Sequence, residues 1–129
     1  MEPVAIVSVL ALLQYVAFGT AVARARGRYG VRAPAVTGHE VFERYFRVQQ
    51  NTLELLILLL PSLWLFARYV DAAWATVLGG VYLVGRTLYF IGYVRDPARR
   101  ELGFALSLGP TLVLLVGALI GACADLMGA

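Results

Sequence analysis

Residues 42–54 read Phe42-Glu43-Arg44-Tyr45-Phe46-Arg47-Val48-Gln49-Gln50-Asn51-Thr52-Leu53-Glu54, and they run directly into the apolar segment 55–66. At about 100° per residue of an α-helix, Arg47, Asn51 and Glu54 fall on one narrow face, and Gln49 points to nearly the opposite side. Polar groups that enter apolar surroundings cost free energy unless they meet polar partners. The spacing therefore favours a polar ligand site over a set of intramolecular ion pairs at a solvated helix end.

The composition is that of a membrane protein. The 129 residues are 60% hydrophobic with a mean hydropathy of +0.77, against an apolar share of roughly 45–50% in soluble domains. All eleven basic residues are arginines, and they lie at the ends of apolar segments. We therefore attribute the net charge of +3 to arginines that flank membrane spans on one side of the bilayer. They do not form a basic face that would bind nucleic acid. Because Cys123 and His39 are the single residues of their types, we expect neither a disulfide within the chain nor a bound metal.

Four apolar segments are each long enough to cross a bilayer as a helix, which takes about 20 residues. We predict spans at about 4–24, 39–68, 72–94 and 97–124. The first is expected to be a retained helix and not a signal peptide, because its amino-terminal flank carries Glu2 and no cation. Thr37-Gly38-His39-Glu40 has the spacing of a capping box, which places the start of the second helix near Thr37. Asp71 and Asp96-Pro97 are placed to cap the third and fourth helices.

These segments predict an all-α fold, an integral membrane four-helix bundle made of the single domain 1–129. The arginines are concentrated in the first and third connections. The positive-inside rule then places these connections in the cytoplasm and both termini on the other side. Gly117 and Gly121 have the spacing of small residues that lets membrane helices approach closely.

Arg86 lies deep in the third apolar segment and shares one helical face with Tyr89 and Tyr93. An arginine at this depth indicates a functional site, and the structural alternative is an ion pair with Glu54 of the second helix. Arginines bind carboxylates bidentately, and side-chain amides can meet peptide groups. This inventory fits glutathione, with its two carboxylates, amine and two peptide groups, and it would also allow a lipid head group. Because Gln49 points away from the Arg47 face, the geometry suggests a site shared between subunits.

The pattern Phe42-Glu43-Arg44-x-x-Arg47-x-Gln49-x-Asn51-x-x-Glu54 resembles the signature of the membrane-associated proteins of eicosanoid and glutathione metabolism, the MAPEG family. Residues 85–93 are similar to the third-helix motif of that family, and residues 99–104 to the start of its fourth helix. The resemblance covers nearly the whole chain and is closest to the branch of the microsomal glutathione S-transferases and leukotriene C synthase. It implies a homotrimer that holds glutathione between adjacent subunits.

The resemblance also implies residue roles. Arg100 matches the arginine that stabilises the glutathione thiolate, which would make it the catalytic residue. Glutathione would be bound by eight residues, the last two contributed by the adjacent subunit: Arg47, Asn51, Glu54, Arg86, Tyr89, Tyr93, Arg26 and Gln49. The implied activity is that of a membrane-bound glutathione transferase, in which the thiolate attacks a hydrophobic electrophile or lipid from the bilayer. Reduction of lipid hydroperoxides by the same thiolate is a second implied outcome. The chain departs from close relatives at Leu55, where they carry a tyrosine that contacts glutathione.

Two other functions stay open at the level of sequence. One is a non-enzymatic membrane protein of the same fold that binds lipids and presents them to another protein. The other is a small transporter or scaffold in which Glu54 and Arg86 form only a buried pair. The short tails and the arginine-only basic composition favour a bacterial inner membrane, with the endoplasmic reticulum membrane as the alternative.

Overall fold

Four long helices follow one another in the computed structural model, which describes residues 1–128. They are α1 (Glu2–Tyr29), α2 (Glu40–Tyr69), α3 (Ala72–Arg95) and α4 (Glu101–Leu126), and a short 3-10 turn, Pro97–Arg99, precedes α4. Each of the four is long and apolar enough to cross a membrane. No strand occurs within residues 1–128, and the predicted all-helical membrane fold is confirmed.

The first connection differs from its prediction at both ends. Helix α1 continues to Tyr29, and Gly30 ends it with a left-handed φ of 70°. Helix α2 begins at Glu40, because the His39 imidazole takes the capping role: its Nδ1 accepts a hydrogen bond from the Val41 N–H at 3.1 Å. The ring of Tyr29 stacks on that imidazole with 4.2 Å between centroids. The predicted capping box, with a helix start near Thr37, was therefore wrong.

The second connection follows its prediction, and the third does not. Asp71 caps α3 by accepting a hydrogen bond from the Trp74 N–H at 3.1 Å. Asp96 also acts as a cap, but its carboxylate accepts from Ala98 N–H at 3.1 Å and starts the 3-10 turn. Because that turn ends before α4 begins at Glu101, Arg100 precedes α4, whereas the predicted helix 97–124 had included it.

The core is apolar and lies where all four helices meet. Its fully buried members include Val4, Leu59, Tyr82 and Leu114, one from each helix. The outer surface is also largely apolar, with side chains such as Leu119 and Ile120 about two-thirds exposed, as expected for helices that face lipid.

Glycines bring α2 and α4 together as their spacing predicted. A Cβ at Gly117 would lie 2.6 Å from the Phe66 ring, and one at Gly121 would lie 2.9 Å from the Tyr69 carbonyl oxygen. Both distances are too short for a larger side chain, so this small-residue pair sets the separation of the two helices.

Candidate functional site

Arg86 is fully buried in α3 and joins three helices. Its Nη1 donates to Asn51 Oδ1 at 2.8 Å and to Thr52 Oγ1 at 3.1 Å, both on α2. Its Nε donates to Ser107 Oγ of α4 at 3.1 Å. The remaining nitrogen, Nη2, is buried and has no hydrogen-bond partner in the part of the chain that the structure describes. The guanidinium thus keeps hydrogen-bonding capacity beyond its three neutral acceptors.

The predicted ion pair between Arg86 and Glu54 is absent among residues 1–128, and that structural alternative was wrong. Arg86 donates instead to the amide oxygen of Asn51, which lies one helical turn before Glu54 on α2. Thr52 and Ser107 were missed by the sequence interpretation because a hydroxyl in an apolar helix usually bonds its own backbone. Both do so here, Thr52 to Val48 O at 2.7 Å and Ser107 to Gly103 O at 2.6 Å, and each also accepts from Arg86.

The predicted face of Arg86, Tyr89 and Tyr93 is present on α3. The Arg86 guanidinium lies 4.1 Å from the centroid of the Tyr89 ring, a distance at which a cation is attracted to the π face. The Tyr93 ring packs next to the Tyr89 ring, with 5.4 Å between their centroids. Arg47 lies one helical turn before Asn51 on α2, and Arg100 directly precedes α4, whose Gly103 packs against the Tyr89 backbone. The structure therefore gathers cations and phenols at one end of the helices.

Arg100 is brought to the same end of the bundle as this cluster because the start of α4 packs closely on α3. A Cβ at Gly103 would overlap the backbone of Tyr89, and a Cβ at Gly92 would lie 2.8 Å from the Arg99 carbonyl oxygen. Arg100 itself is exposed, and its Nη1 donates to Pro97 O at 3.2 Å. The guanidinium is thus held at the end of the bundle with most of its donors free for a ligand.

The polar face of α2 is open in the single chain. Asn51 is half-buried against Arg86, whereas Arg47 and Glu54 are exposed. Neither charged group takes part in an ion pair among residues 1–128. Leu53, Ile57 and other apolar side chains surround Glu54 on the exposed surface. A carboxylate in such surroundings indicates a site that a polar ligand or partner completes.

Arg26 and Gln49 lie apart from this face. The Arg26 guanidinium donates to Ala35 O at 2.6 Å and stands 4.9 Å from the Phe42 ring centroid. Gln49 points toward α1, with its Nε2 3.1 Å from the position of a Cβ on Gly19. The structure therefore groups six of the eight predicted glutathione residues and Arg100 on one side of the chain, and leaves these two on another.

These features define a class: a multi-pass integral membrane protein of four helices with a buried arginine at the centre of a polar, arginine- and tyrosine-rich site. The family model described as "MAPEG family" matches residues 4–120. The chain belongs to the MAPEG family, as its motifs predicted.

The alignments with similar proteins cover most of the chain. Microsomal glutathione S-transferase 2 of Homo sapiens is 46% identical over 116 residues, which are 89% of this chain and 79% of that protein. Leukotriene C4 synthase of Cavia porcellus is 35% identical over 125 residues, 97% of this chain and 83% of that protein. An uncharacterised protein of Synechocystis sp. is 49% identical over 116 residues, 90% of this chain and 85% of that protein.

Proposed function

We propose that this protein is a membrane-bound glutathione transferase that conjugates glutathione to hydrophobic electrophiles. The observation that carries the proposal is the meeting of the α2 polar face with Arg86 and Tyr89 of α3. The similarity to proteins named for glutathione transfer and for leukotriene C4 synthesis supports the same conclusion.

Each polar group of glutathione has a suitable counterpart on this surface. Arg47 suits a carboxylate, Glu54 suits the ammonium group and Asn51 suits a peptide group. Arg86 supplies positive charge behind Asn51. Tyr89 and Tyr93 complete this side of the proposed site.

The site is proposed to lie between subunits of a homotrimer. Arg47 and Glu54 are exposed in the single chain, and Arg26 and Gln49 are directed to its other side. A second copy that presents Arg26 and Gln49 would cover the open α2 face and complete the proposed glutathione contacts.

Arg100 is proposed to stabilise the thiolate of glutathione. A thiol with a pKa near ~8.5 is mostly protonated at neutral pH, and each unit of depression requires about 1.4 kcal/mol in favour of the thiolate. A guanidinium within hydrogen-bond reach supplies stabilisation of that order. The thiol proton leaves to water, because arginine stays protonated.

The thiolate sulfur would then form a bond to an electrophilic carbon of a molecule from the bilayer, and the leaving group would depart with the bonding pair. A lipid hydroperoxide is a second substrate class for the same thiolate. We place the first and third connections in the cytoplasm on the arginine distribution, and we favour a bacterial inner membrane, which the similarity to the Synechocystis protein supports.

The test is calorimetric titration of the detergent-purified protein with glutathione, combined with thiolate absorbance across pH. Saturable binding with a lowered thiol pKa is the expected result. Binding without a lowered pKa would contradict the thiolate step. Failure to bind millimolar glutathione would overturn the transferase assignment in favour of a lipid-presenting protein of the same fold.

A further inference from the structure

A groove on the outer surface of α1 lies outside the proposed glutathione site. Its volume is about 580 Å³, within the range of small-molecule sites. It is lined on α1 by seven residues, and Tyr45 of α2 and Phe90 of α3 complete it. The α1 residues are Ala17, Thr20, Ala21, Arg24, Ala25, Arg28 and Tyr29.

The groove faces away from Arg26. Arg24 and Arg28 are four residues apart and share a helical face, whereas Arg26 lies roughly 160° around α1 from both. Arg26 contacts the first connection and Phe42. The groove opens instead beside α3, where Phe90 stacks on Phe18 at 4.8 Å between ring centroids. The two arginines therefore serve a surface that the proposed reaction does not use.

The two ends of the groove differ in chemistry. Arg24 and Arg28 are exposed and enter no ion pair among residues 1–128. Ala17 and Ala21 lie toward the middle of α1 and leave room beside the aromatic rings of Phe90 and Tyr45. Ala17 and Arg24 are seven residue steps apart along α1, a length of about 10 Å, which matches the upper part of an acyl chain below a head group.

We propose that this groove binds an anionic phospholipid of the surrounding bilayer. Its phosphate would lie between Arg24 and Arg28, and one acyl chain would follow Ala21 and Ala17 along the Phe90 ring. Basic pockets between membrane helices attract anionic head groups through such unpaired arginines. The apolar length of the groove selects a phospholipid over free phosphate, since phosphate has no group to cover the alanines and the rings. The proposal is independent of glutathione.

Native mass spectrometry of the detergent-purified protein tests this, with phosphatidylglycerol and phosphatidylcholine of identical acyl chains added in equal amounts. We expect the wild-type protein to retain phosphatidylglycerol with a preference on the order of tenfold. In the double variant Arg24→Gln/Arg28→Gln the preference is expected to fall to near equality, and each single variant is expected to lose part of it. The matched control Arg32→Gln/Arg95→Gln removes the same charge outside the groove and is expected to keep the preference.

Ala21→Trp fills the groove beneath the arginines and is expected to lower retention of both lipids while the oligomeric state stays unchanged. Three results would overturn the proposal. One is equal retention of the two lipids by the wild-type protein. Another is a preference that persists in Arg24→Gln/Arg28→Gln. The third is loss of subunit association in Ala21→Trp, which would show that a second copy occupies this groove.

Discussion

At the scale of single residues, Arg86 determines how the polar site is arranged. Burying a guanidinium is costly unless its donors find acceptors, and here Nε and Nη1 donate to hydroxyl and amide oxygens of α2 and α4. Only Nη2 lacks a partner among residues 1–128. Because the Asn51 oxygen accepts from Arg86, the Asn51 amide has its nitrogen as the donor for a ligand. Arg86 therefore positions the Asn51 amide for a ligand, in addition to any contact that Arg86 itself makes with the ligand.

Substitution of Arg86 by lysine is predicted to weaken glutathione binding through Asn51. A single ammonium group cannot reproduce the three bonds of the guanidinium, so we expect Kd to rise about tenfold, equivalent to ~1.4 kcal/mol. Calorimetry on Arg86→Lys, Asn51→Ala and the double variant measures the coupling. Effects that simply add would contradict the positioning role. Ser107→Ala serves as the control, because it removes the Arg86 bond to α4 but leaves the bond to Asn51 in place, and it should lower thermal stability with little change in Kd.

Arg100 is predicted to act on turnover and not on glutathione affinity. Removing one group that stabilises developing negative charge costs a factor of about 10²–10³ in kcat, so Arg100→Ala is expected to lose activity on that scale while Kd stays within about threefold. Steady-state kinetics and calorimetry separate the two effects. Arg99→Ala is the matched control, since it removes an exposed arginine from the preceding position. Unchanged turnover in Arg100→Ala would refute the assigned role.

At the scale of helices, two glycines on α4 differ in their surroundings, one in close contact with α3 and the other on an open surface. A Cβ at Gly103 would overlap the Tyr89 backbone, whereas nothing lies within 4 Å of a Cβ at Gly109. Gly103→Ala is therefore predicted to move α4 away from α3 and to destabilise the protein by about 1–3 kcal/mol. Gly109→Ala should leave stability unchanged or slightly raised. Thermal unfolding in detergent compares the pair, and equal melting temperatures would contradict the packing argument.

The sequence was enough to predict which segments form helices and which residues share a helical face. It was not enough to predict where a helix ends when its cap is unusual. Apolar length determines that a segment spans a membrane, and fixed helical spacing places Arg86, Tyr89 and Tyr93 on one side. The His39 cap was missed because Thr37 offers a more frequent capping group. The partners of Arg86 depend on the relative rotation and depth of α2, α3 and α4. Tertiary packing determines these quantities, so local pattern could not choose Asn51 over Glu54.

At the scale of the whole molecule, the predicted glutathione residues occupy two separate surfaces. Arg47 and Glu54 are exposed on the α2 face where Asn51 contacts Arg86, while Arg26 and Gln49 belong to the region between α1 and α2. One compact ligand cannot reach both surfaces of a single chain. If glutathione uses all of these residues, each site must combine two subunits.

Two inactive variants are therefore predicted to restore activity when they assemble together. In a mixed trimer of Arg26→Ala and Arg47→Ala chains, one interface joins an intact Arg47 surface to an intact Arg26 surface. That trimer should show about one third of the wild-type activity. The chains are co-expressed with different affinity tags, purified on both tags in sequence and assayed with glutathione and a hydrophobic electrophile.

The control for this mixing experiment pairs Arg47→Ala with Glu54→Ala. Both residues lie on the same α2 face, so every interface in that mixed trimer receives a damaged surface and activity should stay at the level of the single variants. A site contained within one chain would give no restoration in either mixture, because each chain would carry its own defect. Restoration in the first mixture alone would require a site shared between subunits, with Arg26 and Arg47 on opposite sides of one bound glutathione.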